Sequence, residues 1–313
     1  MKKTPGNFGK FAKKKSNAAI KEQFKQEKRK WKKEREEFFD KKRSQSTVGS
    51  QQSAIGNRQS EIGNQKNAID DRKTEMPLNK FIAHSGVCGR REAAEMVKLG
   101  KVKVNGETIT EPGHKVSSKD EIKVNGKKIF IAKNLVYILI NKPKDYITTT
   151  EDPQGRKTVL DIIRKATPER VYPVGRLDRN TSGVLLLTND GDLSQRLTHP
   201  SNEVKKVYAV TLNKPLDKKD FDRILKGVTL EDGPASVDAL AYADVKDKSQ
   251  LGVEIHSGRN RIVRRIFEHL GYDVRNLDRV IFAGLTKKNI ERGKWRFLSE
   301  KEVRDLKYFG KGK

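Results

Sequence analysis

In the run Gly175-Arg176-Leu177-Asp178-Arg179-Asn180-Thr181-Ser182-Gly183-Val184-Leu185-Leu186-Leu187-Thr188, one carboxylate stands between two arginines and leads straight into an apolar segment. Gly, Asn and Ser favour turns, and four aliphatic residues in series read as a buried strand. The charged turn is therefore backed by a rigid support, which a loop needing only charge does not require. Such an arrangement suits Asp178 to chemistry on an anionic substrate. A carboxylate in a water-poor site stays ionised only with a cation beside it. Further along the chain stands Gly258-Arg259-Asn260-Arg261-Ile262-Val263-Arg264-Arg265. Ile262, Ile266 and Leu270 ahead of Gly271 predict a helix over residues 261–270. Read locally, Arg264 and Glu268 are four apart on that helix and form an exposed ion pair. Tyr208 alternates with Val210 and Leu212 in a predicted strand, where periodicity alone makes it a core aromatic.

The whole chain points to a polyanionic partner. Its 313 residues carry 68 Lys and Arg against 41 Asp and Glu, a formal charge of +27. That excess gives phosphate affinity that weakens with salt, while 34% hydrophobic residues still allow one or two buried cores. No apolar run has the length of a membrane span, and the start MKKTPGNFGK has no apolar signal segment, so a cytoplasmic protein without membrane attachment is expected. Cys88 is the single cysteine, and five scattered histidines lack metal-ligand spacing; neither an internal disulfide nor a metal site is expected. There is no phosphate-cradling Gly-rich loop with its Lys and no Ser/His/Asp grouping, which argues against nucleotide cofactors and hydrolysis.

Among the elements that must hold these residues, residues 1–75 are polar and poor in aliphatics, the composition of a disordered basic arm. Within it, residues 18–43 favour helix, with Phe24, Trp31 and Phe38 recurring every seven residues. Composition changes at Met76. Leu78, Phe81 and Ile82, then Ala93, Ala94, Met96 and Val97, predict two short helices split by a turn at residues 86–89. Val102 and Val104 precede Asn105-Gly106, and Val124 precedes Asn125-Gly126; both dipeptides suit tight hairpins. From about residue 135 onward, strands (136–140, 184–187, 208–212) alternate with helices (192–197, 261–270), the pattern of a mixed α/β or α+β domain.

Asn79-Lys80-Phe81-Ile82-Ala83-His84-Ser85-Gly86, Arg90-Arg91-Glu92-Ala93 and Gly100-Lys101-Val102-Lys103-Val104-Asn105-Gly106 together resemble the S4 RNA-binding domain, over residues 76–133. The resemblance implies phosphate contacts from Arg90, Arg91, Lys98, Lys101 and Lys103. Read locally, Arg91 pairs with Glu95 on one helix face. Gly175-Arg176-Leu177-Asp178 with Thr181-Ser182-Gly183 resembles the signature of the pseudouridine synthases. With the S4 domain and the 258–265 block, it resembles the branch that modifies ribosomal RNA, nearest the B type among the synthases of the large ribosomal subunit.

That resemblance implies a catalytic domain over residues 134–313 with a mixed, mainly antiparallel sheet flanked by helices. It also implies a uridine-to-pseudouridine isomerisation needing no cofactor. Asp178 would be nucleophile or base, Arg264 its cation, and Tyr208 the stacking platform. Arg176 would fill the space left by a flipped base or clamp phosphate, Leu277 would be an apolar wall, and Arg179 and Arg261 would hold substrate. The expected partner is ribosomal RNA, with nothing requiring more than a monomer. The rival reading is an idle RNA clamp that assists ribosome assembly.

Overall fold

Hydrophobic spacing builds the first structured segment. In the computed structural model, which describes residues 75–131 and 134–308, β1 (Met76–Pro77) leads into α1 (Leu78–His84) and, after a turn, α2 (Arg90–Lys98). The basic arm and helix expected before Glu75 lie outside the described residues. Two hairpins follow, β2 (Val102–Val104) with β3 (Glu107–Thr108) and β5 (Ile122–Val124) with β6 (Lys127–Lys128), the second after the short β4 (Lys115–Val116) that pairs with β1. Each hairpin turns on its Asn-Gly pair, with Asn105 at φ 52° and Asn125 at φ 47°. Leu78, Phe81, Ile82, Ala93 and Val97 pack onto Val102, Val104, Ile122 and Val124. The four strands lie in the order β3-β2-β5-β6.

The larger body is one nine-stranded sheet. It comprises β7 (Tyr137–Lys142), β8 (Tyr172–Pro173), β9 (Ser182–Thr188), β10 (Lys206–Leu212), β13 (Ala239–Tyr242), β14 (Gln250–Ile255), β15 (Val274–Phe282), β16 (Leu285–Thr286) and β17 (Trp295–Phe297). Its spine runs β13-β14-β10-β15-β9-β7-β17. All residues of β7 and β9 are buried, because both faces are covered. Ile138, Ile140, Leu185 and Leu187 point into one core with Val159 and Ile163 of α3 (Val159–Ile163) and Ile262 and Ile266 of α6 (Ile262–His269). Tyr137, Leu139, Val184 and Leu186 point into the other, with Leu193 and Leu197 of α4 (Gly191–Thr198) and Leu306 of α7 (Glu300–Tyr308). Near-continuous apolar runs are what two-sided burial requires. Between β10 and β13 lie α5 (Lys218–Lys226) and the hairpin of β11 (Val228–Leu230) and β12 (Gly233–Ala235). Lys80 of α1 donates to Asp192 of α4 at 2.8 Å, tying the small sheet domain to the large one.

Among the named strands, one pair is parallel: β15 with β9, where Asp278 lies opposite Ser182 and Arg279 opposite Gly183. This junction brings the loop before β9, which carries Asp178, next to Leu277. Gly183 sits at φ +113°, and a Cβ there would stand 2.2 Å from the Arg279 carbonyl oxygen. Ser182 Oγ donates to Asp278 at 2.7 Å, and Asp278 also holds Lys287 and Arg292. Burial pushes the Asp278 carboxyl up, but these partners outweigh it and hold the group low. Among the described residues, no helix is long and apolar enough to cross a membrane, and no cluster of His, Cys, Asp and Glu could hold a metal ion.

Gly183→Ala adds a methyl group to a backbone crossing with no room for it, at a φ that alanine resists. We expect a destabilisation of roughly 2–4 kcal/mol and a Tm lower by roughly 5–15 °C. Thermal unfolding followed by circular dichroism checks this; an unchanged Tm would mean that the parallel junction has slack.

Candidate active site

The Asp178 loop is shaped by a lysine that the charge pattern did not single out. Lys142 ends β7 fully buried, and its Nζ donates to the carbonyl oxygens of Pro143 (3.2 Å), Asp178 (3.0 Å), Arg179 (3.2 Å) and Thr181 (2.8 Å). Three ammonium protons thus serve four acceptors, three of them in the loop. Burial pushes the ammonium down to about 8, while the charges of Asp178 and Asp145 favour its protonated form. Thr148 fastens the other end: its hydroxyl donates to the Leu177 carbonyl at 2.8 Å and accepts from the Leu177 N–H at 3.3 Å. The Thr181 N–H closes the turn on the Asp178 carbonyl at 3.0 Å. With the loop's carbonyls gathered inward, the Asp178 side chain is left to line a cleft of about 460 Å³.

Arg176, Arg179, Tyr208, Arg261 and Leu277 line the same cleft, so with Asp178 six of the seven residues expected at the catalytic centre converge on it. Among the described residues, Asp178 is the one acid on a wall that also carries Arg176, Arg179, Lys206, Arg259, Arg261 and Arg279. Arg176 is exposed and, among the described residues, its guanidinium has no partner. Arg179 is exposed too and reaches Asp145 at 3.3 Å. Tyr208 is 8% exposed and lies between Val253 and Arg279 in the sheet. It is core aromatic and cleft wall at once. Leu277 is buried one strand away, opposite Val210.

Arg264 does not follow the local reading of the sequence. The exposed pair with Glu268 does not form, because Arg264 is 8% exposed and Glu268 accepts from Arg261 at 3.0 Å. Nor does Arg264 line the cleft beside Asp178. It lies behind the wall, where Nη1 donates to the Val274 carbonyl at 2.7 Å and Nη2 to that of Asn180 at 3.4 Å. Burial pushes this guanidinium down, as does Arg261, whereas Asp178 and Glu268 pull the other way. Its tie to Asp178 is through the field and through the loop backbone. The helix itself starts at Ile262, one residue later than expected, because Arg261 takes a left-handed conformation at φ 48°.

Two more cations in the wall escaped the sequence reading. Lys206 Nζ donates to the His256 carbonyl at 2.5 Å, and burial, reinforced by Arg279, pushes it down to about 8. Arg279 is 2% exposed, bonds the Val184 carbonyl at 2.8 Å and packs on Phe282. Its strand also carries Arg275, Asn276 and Asp278, so nothing local in the sequence set it apart. Arg259 and Arg265 both bind Asp232 and so fix the β11-β12 turn to the start of α6. None of Arg90, Arg91, Lys98, Lys101 and Lys103 lines the cleft; all five are exposed on the small domain. Glu95 accepts from Lys98 at 3.0 Å rather than pairing with Arg91.

Known proteins resemble this arrangement. A family model described as RNA pseudouridylate synthase matches residues 136–269, and one described as S4 domain matches residues 76–122. The chain is 43% identical over 233 residues to the ribosomal large subunit pseudouridine synthase B of Bacillus subtilis (strain 168), spanning 74% of this chain and 95% of that protein. An uncharacterized RNA pseudouridine synthase of Aquifex aeolicus (strain VF5) is 39% identical over 235 residues, spanning 74% and 94%. Among solved structures, a pseudouridylate synthase superposes with a TM-score of 0.53 at 27% identity, covering 74% of this chain and 99% of its own.

Lys142→Met removes the donor shared by four carbonyls, of which those of Asp178 and Arg179 keep the Thr181 and Asp145 N–H groups, and should slacken the Asp178 turn, with catalysis lost together with stability. The pH dependence carries a sign. Lys142 titrates near 8 when folded and near 10.5 when unfolded, so between those values the unfolded chain binds more protons and stability due to this group rises with pH. Denaturant titrations at pH 7.5 and pH 10 should show the wild type gaining stability relative to Lys142→Met; a constant difference would contradict the buried ammonium.

Proposed function

The chain belongs to the RNA pseudouridylate synthase family, and from that premise we propose that it isomerises a uridine of large-subunit ribosomal RNA to pseudouridine, with Asp178 as the catalytic carboxylate. The supporting observation is a single acid in a cationic cleft. An RNA strand brings one phosphate per nucleotide, so the cations draw it in and offset its charge. The lone carboxylate is the group able to act as nucleophile or base.

Isomerisation breaks the N1–C1′ bond, turns the uracil over and joins C5 to C1′, and the proton that leaves C5 is balanced by one that N1 takes up. Atoms and electrons balance within the nucleotide and one carboxylate, and no cofactor is needed. A uridine stacked in folded RNA cannot reach Asp178, so the nucleotide must be extruded, at a cost of a few kcal/mol. The extruded base lies against the Tyr208 ring, with Leu277 as the apolar wall. Arg176, unpaired and exposed, either enters the vacated stack or clamps phosphate, and Arg179 and Arg261 hold the flanking backbone. Arg264 supplies positive potential from behind the wall and keeps Asp178 ionised during desolvation. We assign residues 76–133 as the S4 domain, which holds the RNA, and residues 134–313 as the catalytic domain.

Asp178→Asn should bind ribosomal RNA within about twofold of wild type, because Lys142 grips its carbonyl and Thr148 the backbone of Leu177, and neither grips its carboxyl. Pseudouridine yield should fall to roughly a thousandth or less. Carbodiimide treatment followed by primer extension reads the product; undiminished modification would remove Asp178 from the chemistry, and unmodified uridines throughout with wild-type protein would favour the idle clamp.

A further inference from the structure

The S4 sheet keeps like charges face to face. Its register sets Lys103 of β2 opposite Lys123 of β5, and Lys123 opposite Lys128 of β6. Side chains alternate between the faces of a strand, and Val102, Val104, Ile122 and Val124 fill the core. The three lysines therefore share the outer face, in a row about 10 Å long at the usual strand spacing of about 4.8 Å. Directly opposed like charges destabilise a sheet. Glu121 offsets them in part, at 3.2 Å from Lys123 and 3.6 Å from Lys128, whereas Lys103 has no acidic partner among the described residues.

An apolar ring continues this row. The Ile129 N–H bonds the Ile122 carbonyl at 2.9 Å, extending the pairing beyond β6, and Ile129 packs on the core. Phe130 therefore turns to the outer face, 66% exposed, with Lys128 Nζ 5.6 Å from its ring centre. A sheet selected for stability alone would place neither three opposed lysines nor an open phenyl ring here. Phosphate needs the first, and an unstacked base fits the second.

We propose that the outer face of the S4 sheet is a track for single-stranded RNA, with phosphates along Lys103, Lys123 and Lys128 and a base stacked on Phe130. The track rests on the RNA reading of the cleft. It lies on the face of the sheet that α1 and α2 do not cover, and so adds a second contact to the one expected from Arg90 and Arg91. Lys103 belongs to this track and not to the helix side.

The test is binding of a fluorescein-labelled 20-nucleotide oligouridine by full-length protein, read by anisotropy across a salt series. The double variant Lys123→Thr, Lys128→Thr should bind more weakly, with a log Kd against log salt slope shallower by about 1.4, two contacts at about 0.7 each. Its Tm should equal or exceed that of wild type, since the opposed charges are gone. Phe130→Ala should weaken binding about fivefold or more at unchanged slope, and Phe130→Trp should restore it. Unchanged affinity and slope in the double variant would overturn the proposal and leave the face to another partner, such as an acidic protein. A weaker affinity with a lowered Tm would overturn it as well, by making the lysines structural. Loss of duplex binding equal to loss of oligouridine binding, with Phe130→Ala silent, would overturn the single-strand assignment. Binding alone is read, so a wild type that binds as described but forms no pseudouridine would sink the catalytic reading and leave the track standing.

Discussion

One buried ammonium gathers the backbone on which the rest of the site depends. Four carbonyl oxygens aim at Lys142 Nζ; a carbonyl buried without a donor costs about 1–3 kcal/mol, and those of Asp178 and Arg179 accept from the Thr181 and Asp145 N–H groups as well. A long side chain with several protons can reach them all from the end of β7; a hydrophobic residue of the same size cannot. With carbonyls drawn inward, the loop turns the Asp178 side chain out toward the cleft. The β9-β15 junction sets the other boundary. Gly183 allows the two backbones to meet, which puts Leu277 and Arg279 in the same wall as the carboxylate.

The electrostatics of this wall follow from burial more than from pairing. Burial lowers the proton affinity of Lys142, Lys206, Arg264 and Arg279, and most of their hydrogen bonds go to backbone carbonyls, which neutralise no charge. Carbonyl partners leave the positive field of these groups directed into the cleft, where a carboxylate-rich wall would cancel it. Where the protein does pair arginine with acid, as at Asp232, the purpose is local fastening. The cleft is thus preset for a polyanion, with one negative group placed where the chemistry occurs.

Much of this was legible in the chain. Periodicity located β7, β9, β10, α4 and α6, and the Asn-Gly pairs marked both hairpins, because these signals are local. The Asp178, Arg176, Arg179, Tyr208, Arg261 and Leu277 positions, singled out on their motifs, line one cleft. Lys142 was visible only as the end of an apolar strand ahead of proline, since no pattern in one strand reveals that carbonyls from residues 178–181 converge upon it. The burial of Arg264, which the local reading left exposed, was hidden for a similar reason. Spacing on α6 shows which residues share a helix face, but the burial of that face depends on β15, ten residues later in sequence and set by the sheet. The register that opposes Lys103, Lys123 and Lys128 is likewise a property of two hairpins together.

Amide hydrogen exchange at Thr181 and Asp145 tests the central claim most directly, since their N–H groups bond the Asp178 and Arg179 carbonyls in the Lys142 cage. If the ammonium holds the loop, both amides are protected in the wild type. In Lys142→Ala both should then exchange far faster, while Leu186 and Val210 in the sheet keep their protection. Equal protection of Thr181 and Asp145 in the two proteins would show that the loop holds its shape without Lys142, and the account would fail.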